Sequence, residues 1–175
     1  MPPSELTRMV KARPLPAGAV VIEATDAERA ALAARFGLGA VESLRAEVAL
    51  EPKPSAIRAT GRLRAKILQP CAVSGEDFPV TIDEAVDLRF VEQHQRPVSA
   101  EEDMEIELVA DDCDEIEFTG DMFDLGEAVA QTLGLAIDPY LEGPNADAFR
   151  AATGIVKEGE QMGPLADLLA GLKKG

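Results

Sequence analysis

The predicted fold is decided by the stretch AIRATGRLRAKIL, residues 56–68, in which apolar and polar side chains alternate. The apolar side chains share one parity and are Ile57, Ala59, Leu63, Ala65 and Ile67. The opposite parity carries Arg58, Thr60, Arg62, Arg64 and Lys66. Alternation with a period of two is typical of a β-strand that buries one face. The stretch therefore predicts a strand with an apolar inner face and a basic outer face.

The segments on either side, residues 41–50 and 79–91, alternate in the same way. Their inward positions are Leu44, Ala46, Val48 and Leu50 in the first and Val80, Ile82, Val86, Leu88 and Phe90 in the second. Pro52 and Pro54 separate the first segment from the strand at 56–68. Three consecutive strands of this kind predict an antiparallel meander.

Two readings of the basic row remain open. Asp83 and Asp87 on one neighbouring strand and Glu47 on the other are placed to face it, and opposite charges across strands contribute roughly 0.2–1 kcal/mol each. In that reading the row is neutralised internally. The alternative is direct contact with RNA through Arg58, Arg62, Arg64 and Lys66, although no exposed aromatic residues are interleaved to stack on bases.

Two helices carry clear end signals. Thr25 with Glu28 forms a capping box and Gly37 supplies a left-handed stop, which predicts a helix over 26–36 with Leu32 and Phe36 inward and Glu28 and Arg35 in solvent. Asp124 with Glu127 begins a second helix over 125–137. Its apolar stripe is formed by Leu125, Val129, Leu133 and Ile137.

The predicted class is α+β, an antiparallel sheet with two packed helices and a short C-terminal helix, and barrel-like closure of the sheet stays open. Further strands are predicted within 15–24, 105–110 and 115–119. Residues 1–141 are predicted to form one domain and residues 142–175 a linker or tail. The short amphipathic helix at its end is indicated by Leu165, Leu168, Leu169 and Leu172.

The charge balance argues against bare nucleic acid as the main partner. The 175 residues include 32 acidic and 17 basic side chains, a formal net charge of -15. Such a surface repels phosphate at long range and attracts basic proteins. No signal peptide or membrane span is evident, which predicts a soluble cytoplasmic protein.

The acidic segment, residues 101–117, concentrates the negative charge, because ten of its seventeen residues are Asp or Glu. A calcium site around Asp111, Asp112 and Asp114 is disfavoured, since the segment lacks the EF-hand glycine and the closing glutamate. We expect a solvated surface that also binds a cationic partner. The candidate partner-binding residues are Glu101, Glu102, Asp103, Asp111 and Asp112.

No catalytic or cofactor motif stands out. His94 is the one histidine, and no GxGxxG or P-loop is present. Cys71 and Cys113 are predicted to be free thiols, and Cys71 is interpreted as a structural, metal-free core residue. The sequence therefore predicts no enzyme, metal, cofactor or small-molecule substrate, and a thiol-dependent enzyme at Cys71 is the less favoured alternative.

Two stretches, QPCAVSGEDFPVTIDEAVDLRFV at 69–91 and DLGEAVAQTLGLAIDPY at 124–140, resemble the YceD family of large ribosomal RNA subunit accumulation proteins. The resemblance covers about residues 58–144. The matching positions are Cys71, Glu76, Arg89, Phe90, Asp124, Leu125, Asp138, Pro139 and Tyr140. Many members carry a second cysteine shortly after the first, and here Ser74 and Gly75 stand in that region.

The resemblance implies a role in 23S rRNA accumulation or processing and in large-subunit assembly, without known catalytic residues. Together with the acidic surface, the resemblance predicts as partners a basic ribosomal protein, an rRNA-processing factor, or the 23S rRNA precursor within a ribonucleoprotein.

Overall fold

The computed structural model describes residues 4–93 and 114–157, with Gly163 and Gly171. The helices and strands, numbered in chain order, are β1 Met9–Lys11, β2 Val20–Glu23, α1 Asp26–Phe36, β3 Ala40–Pro52, β4 Ile57–Pro70, β5 Asp77–Glu92, β6 Asp114–Phe118, β7 Met122–Asp124, α2 Leu125–Ala136 and α3 Ala146–Thr153.

The chain forms two compact units. The sheet unit consists of Met1–Gln69 and Pro79–Pro139. The turn unit consists of Pro70–Phe78 and Tyr140–Gly175. The predicted division into one domain and a tail after residue 141 stays a prediction.

A five-stranded sheet forms the centre of the sheet unit, in the order β2-β3-β4-β5-β6. Strand β3 pairs antiparallel with β2 and with β4, and β2 to β5 follow the chain order of a meander. The α+β class and the largely antiparallel sheet are therefore confirmed. Among the described strands, β2 and β6 are free edges, so the sheet is open and the barrel-like alternative does not apply to them.

The predicted strand at 115–119 is confirmed as β6, but it pairs parallel to β5, with Phe90 opposite Ile116. A parallel partner needs a long crossover connection, and residues 93–113 supply that length of chain. Strands β1 and β7 form a separate two-stranded antiparallel sheet. Each has three residues, too few to show a period in the sequence.

The inward parity predicted for β4 is confirmed. Ile57, Ala59, Leu63, Ala65 and Ile67 are all buried, and the same holds for Ile82, Val86, Leu88 and Phe90 of β5. The outward arginines at 62 and 64 are exposed. The apolar face of the sheet therefore lies in the core, and the charged face of β4 is accessible.

Both predicted helices are present and contribute to the same hydrophobic core as the sheet. The α1 capping box is formed in both directions, and α1 ends at Gly37 with φ 64. Asp124 caps α2, whose Leu125, Val129 and Leu133 are fully buried. A β-carbon at Gly134 of α2 would lie 2.7 Å from Phe36, so glycine lets the two helices approach closely.

Glu28 and Arg35 form ion pairs with distant parts of the chain that the sequence does not predict. Two nitrogens of Arg8 bind the Glu28 carboxylate at 2.6 and 3.0 Å. Arg35 bridges Glu127 at 2.8 and 3.0 Å and Glu5 at 2.9 Å. The side chains of Glu28 and Arg35 are only 21% and 29% exposed. The prediction was wrong for Glu28, which is half-buried, and right for Arg35, which is exposed as a whole residue although carboxylates from distant parts of the chain hold its guanidinium.

The turn unit contains α3 in a segment that the sequence predicts to be irregular. Helix α3 has eight residues and ends at Gly154, whose φ is 73. Such a short helix is marginal alone and needs tertiary contacts. Arg150 ties the helix to the preceding segment by binding Glu142, and it also pairs with Asp147 within the helix. The predicted leucine positions at the C-terminus lie outside the described residues.

Candidate functional site

The basic row of β4 is partly neutralised by β5. Arg58 binds Asp87 through two hydrogen bonds, at 2.9 and 3.1 Å, and Arg62 hydrogen-bonds Asp83. The Arg62 hydrogen bond lowers the pKa of Asp83 below its ordinary value. Glu47 lies opposite Arg62 in register, but the guanidinium binds Asp83 instead. The predicted pairing with β5 is thus confirmed for these two arginines.

A second group of cations surrounds a hollow of about 360 Å³ in the sheet unit. We call it the arginine hollow and define it by the charged residues that line it, Glu23, Arg29, Arg45, Arg64, Lys66 and Asp83. Arg45 approaches Glu23 at 3.6 Å, and Arg64 approaches Asp83 at 3.6 Å. Across residues 4–93 and 114–157, Lys66 forms no ion pair within 4 Å.

Only half of these cations were singled out in the sequence. Arg64 and Lys66 belong to the alternating row of β4, whereas Arg29 comes from α1 and Arg45 from β3. Arg29 donates to the Ala24 carbonyl at 2.9 Å and binds Asp26 at 2.6 Å. The outward parity of β3 is the signal that points to Arg45. Nothing in the sequence links Arg29 to the sheet.

The candidate partner-binding residues lie outside the described residues. They are Glu101, Glu102, Asp103, Asp111 and Asp112. His94 and Cys113 also fall in the range 94–113. Their predicted roles stay predictions.

Cys71 occupies a tight turn of the turn unit. Its side chain is 4% exposed, and its Sγ accepts the backbone N–H groups of Val73, Ser74 and Gly143 at 3.4, 3.5 and 3.2 Å. Hydrogen bonds from the Ser74 side chain and then its backbone lower the pKa of the Cys71 thiol to about 7, with a further contribution from Gly143. Hydrogen bonds to the sulfur favour the thiolate, whereas burial of the thiol opposes it by raising the pKa of Cys71.

The Cys71 turn also holds the segment after Tyr140. Ala72 donates to the Leu141 carbonyl at 3.1 Å, and Asn145 donates to Glu76 at 3.2 Å. A β-carbon at Gly143 would lie 2.8 Å from Phe78 and 3.4 Å from the Cys71 β-carbon. Cys71 and Glu76 thus act here as packing and anchoring residues, while Tyr140 is 82% exposed.

The remaining family-like positions lie in the sheet unit and have structural contacts. Phe90 stacks on Phe123 with ring centroids 4.3 Å apart, and Leu125 is fully buried. Asp124 accepts the Arg8 N–H at 2.8 Å as well as capping α2. Arg89 pairs with Glu115 at 3.1 Å. The Asp138 carbonyl accepts the Gln69 side-chain amide, and Pro139 follows the end of α2.

Two absences concern the described residues alone. They contain no group of three or more histidine, cysteine, aspartate or glutamate side chains arranged to hold a metal ion. None of their helices is long and apolar enough to span a membrane. The expectation that Cys71 is metal-free stays a prediction.

Comparison with protein families identifies the chain. The model of the family described as large ribosomal RNA subunit accumulation protein YceD matches residues 59–162. The chain belongs to the YceD family. The family region includes most of β4, all of β5 and the turn unit as far as residue 157, but Arg29 and Arg45 of the arginine hollow precede it. No curated protein and no solved structure matches the chain significantly.

Proposed function

We propose that this YceD family protein is a non-enzymatic cytoplasmic factor needed for 23S rRNA accumulation and large-subunit assembly. The family match over residues 59–162 carries the proposal. In it, the protein acts through a basic ribosomal protein, an rRNA-processing factor or the precursor ribonucleoprotein, and the acidic segment is its main binding surface.

Electrostatics supports a cationic protein partner. With a formal net charge of -15, the chain repels long stretches of exposed RNA. Ribosomal proteins are basic, and before assembly no rRNA phosphate neutralises their positive charge. The acidic segment therefore attracts them over several ångströms at low salt. The acidic segment contains ten carboxylates, enough to steer such a partner without a preformed pocket.

Direct RNA contact through β4 is the second candidate. Arg58 and Arg62 are held by Asp87 and Asp83, which disfavours a continuous basic stripe. Arg64 approaches a carboxylate only at 3.6 Å, and Lys66 forms no ion pair with another described residue, so both cations support this second candidate. The thiol-dependent reading is not proposed, because Cys71 is buried and its sulfur already accepts three N–H groups.

Depletion of the protein tests the proposed function. We expect a lower ratio of 23S to 16S rRNA and an accumulation of large-subunit precursors, both reversed by the wild-type chain. Unchanged rRNA ratios and normal subunit profiles after depletion would contradict the proposal.

A charge variant tests the role of the acidic segment. It combines Glu101→Gln, Glu102→Gln, Asp103→Asn, Asp111→Asn and Asp112→Asn. A matched control removes five exposed carboxylates elsewhere, at Glu42, Glu51, Asp77, Glu84 and Asp121. We expect the first variant, and not the control, to lose co-sedimentation with precursor particles at low salt. An equal loss of co-sedimentation in the two variants would show that net charge, and not the acidic segment, determines the association.

A further inference from the structure

The arginine hollow brings a local excess of positive charge to the surface of an acidic chain. Four cationic side chains and two carboxylates line it, whereas the whole chain has a formal net charge of -15. The cations come from α1, β3 and β4, which are parts of one hydrophobic core. A rigid scaffold therefore holds them around a common space.

The ion pairs inside the hollow are weak. Arg45 and Arg64 stand 3.6 Å from Glu23 and Asp83, which is longer than a hydrogen bond of about 2.7–3.2 Å. Both arginines are largely exposed, at 56% and 73%. Their guanidinium groups thus keep donors that an incoming anion can use.

The hollow is larger and less polar than a bare phosphate requires. Its volume of about 360 Å³ lies at the lower end of the range of about 300–1,000 Å³ for small-molecule sites. The accessible lining is mostly apolar, and because Leu44, Ala65 and Ile82 are almost fully buried, this surface comes mainly from carbon atoms of the longer polar and charged side chains. A nucleotide has both an anionic group and a sugar and base that can cover such surface.

We propose that the arginine hollow binds one nucleotide of a single-stranded RNA segment. Arg45 and Arg64 bind its phosphate as planar bidentate donors, and Lys66 adds a third cation. The sugar or base covers the apolar lining. The surrounding negative charge keeps neighbouring nucleotides away, so the contact stays short. The identity of the RNA, a segment of large-subunit rRNA, rests on the proposed function.

Purified full-length protein and a fluorescent 12-nucleotide single-stranded RNA test the proposal by anisotropy. The variant combines Arg45→Gln, Arg64→Gln and Lys66→Gln. A matched control removes three cations elsewhere, with Lys11→Gln, Arg13→Gln and Lys53→Gln. We expect roughly tenfold weaker binding for the hollow variant and a change below about threefold for the control. Equal losses, or no binding by the wild-type chain at 50 mM salt, would overturn the proposal.

A variant that binds RNA more tightly than the wild type cannot owe this result to misfolding. Glu23 is 73% exposed and competes for Arg45, so Glu23→Gln should strengthen RNA binding about two- to threefold. The logarithm of the wild-type affinity should fall against the logarithm of salt with a slope of about −0.7 to −1.4, as one or two phosphate contacts require. Weaker binding by Glu23→Gln, or a slope near −4, would contradict a single-nucleotide site.

Competition experiments distinguish a nucleotide from an acidic peptide as the ligand of the arginine hollow. Adenosine monophosphate should displace the RNA, whereas a peptide with the sequence of residues 101–117 should not. Displacement by the peptide and not by the nucleotide would overturn the proposal and assign the hollow to an acidic protein segment. Because these assays use purified protein, absence of RNA binding by the wild-type chain, together with normal co-sedimentation with precursor particles, would overturn the nucleotide site and leave the proposed function standing.

Discussion

The sheet unit uses arginine in two different ways. Arg8 and Arg35, whose side chains are 32% and 29% exposed, bind carboxylates through paired hydrogen bonds of 2.6–3.0 Å. Arg45 and Arg64 stand in solvent and approach their carboxylates only at 3.6 Å. Arg8 and Arg35 join distant parts of the chain, so their donors already serve the fold. The second pair contributes little to the fold and keeps its donors for a ligand.

Arg35→Ala should have the largest effect on stability. It removes two carboxylate partners and a guanidinium that lies 5.3 Å above the Phe36 ring. We expect a loss of about 2 kcal/mol in the free energy of unfolding, between the values for surface and buried pairs. Urea unfolding measures it, with Arg64→Ala as the control at about 0.5 kcal/mol or less. A similar loss for both variants would remove the distinction between the two classes.

Acid should remove the stability that the ion pairs of Arg8 and Arg35 contribute. Hydrogen bonds from Arg8 and from Arg35 lower the pKa of Glu28 and of Glu127 from 4.5 to about 2. A lowered carboxyl pKa contributes stability that is complete above the unfolded value and is lost as the pH falls from about 4.5 towards 2. In urea titrations, Glu127→Gln should be less stable than the wild type at pH 6 and should lose less further stability by pH 2.5. Parallel curves would contradict the assignment.

Several elements were predictable because their signals are local. Alternation predicts β3, β4 and β5, and the capping residues predict α1 and α2, since each signal spans only a few residues. Strands β1 and β7 are too short for a period, and α3 depends on the contacts of Arg150. The parallel pairing of β6 is set by tertiary packing and leaves no mark in its own composition.

The candidate site was predictable only in part, because some of its residues are brought together by tertiary packing and not by a local pattern. The row of β4 is visible as alternation, and its pairing with Asp83 and Asp87 follows from strand order. Arg29 reaches the hollow from a helix, so no spacing along one element relates it to Arg64. Arg35 of α1 and Glu127 of α2 are 92 residues apart in the sequence and are likewise brought together by tertiary packing.

Asp83→Asn should have a small effect on stability and a visible effect on binding. Asp83 is 43% exposed, hydrogen-bonds Arg62 and lies 3.6 Å from Arg64. We expect a stability change of less than about 1 kcal/mol, as for other exposed pairs. RNA affinity, measured by anisotropy, should rise about two- to threefold because the anion competes less for the arginines. A stability loss as large as that of Arg35→Ala would place Asp83 in the structural class.

The side-chain Nε–Hε resonances of arginine distinguish the two classes in one NMR titration. Adenosine monophosphate is added to the ¹⁵N-labelled full-length protein at low salt. The resonances of Arg45 and Arg64 should shift in a saturable way, while those of Arg8 and Arg35 should stay in place. Saturable shifts at Arg8 and Arg35, or no saturable shift at Arg45 and Arg64, would contradict the claim that the outward arginines form a nucleotide site.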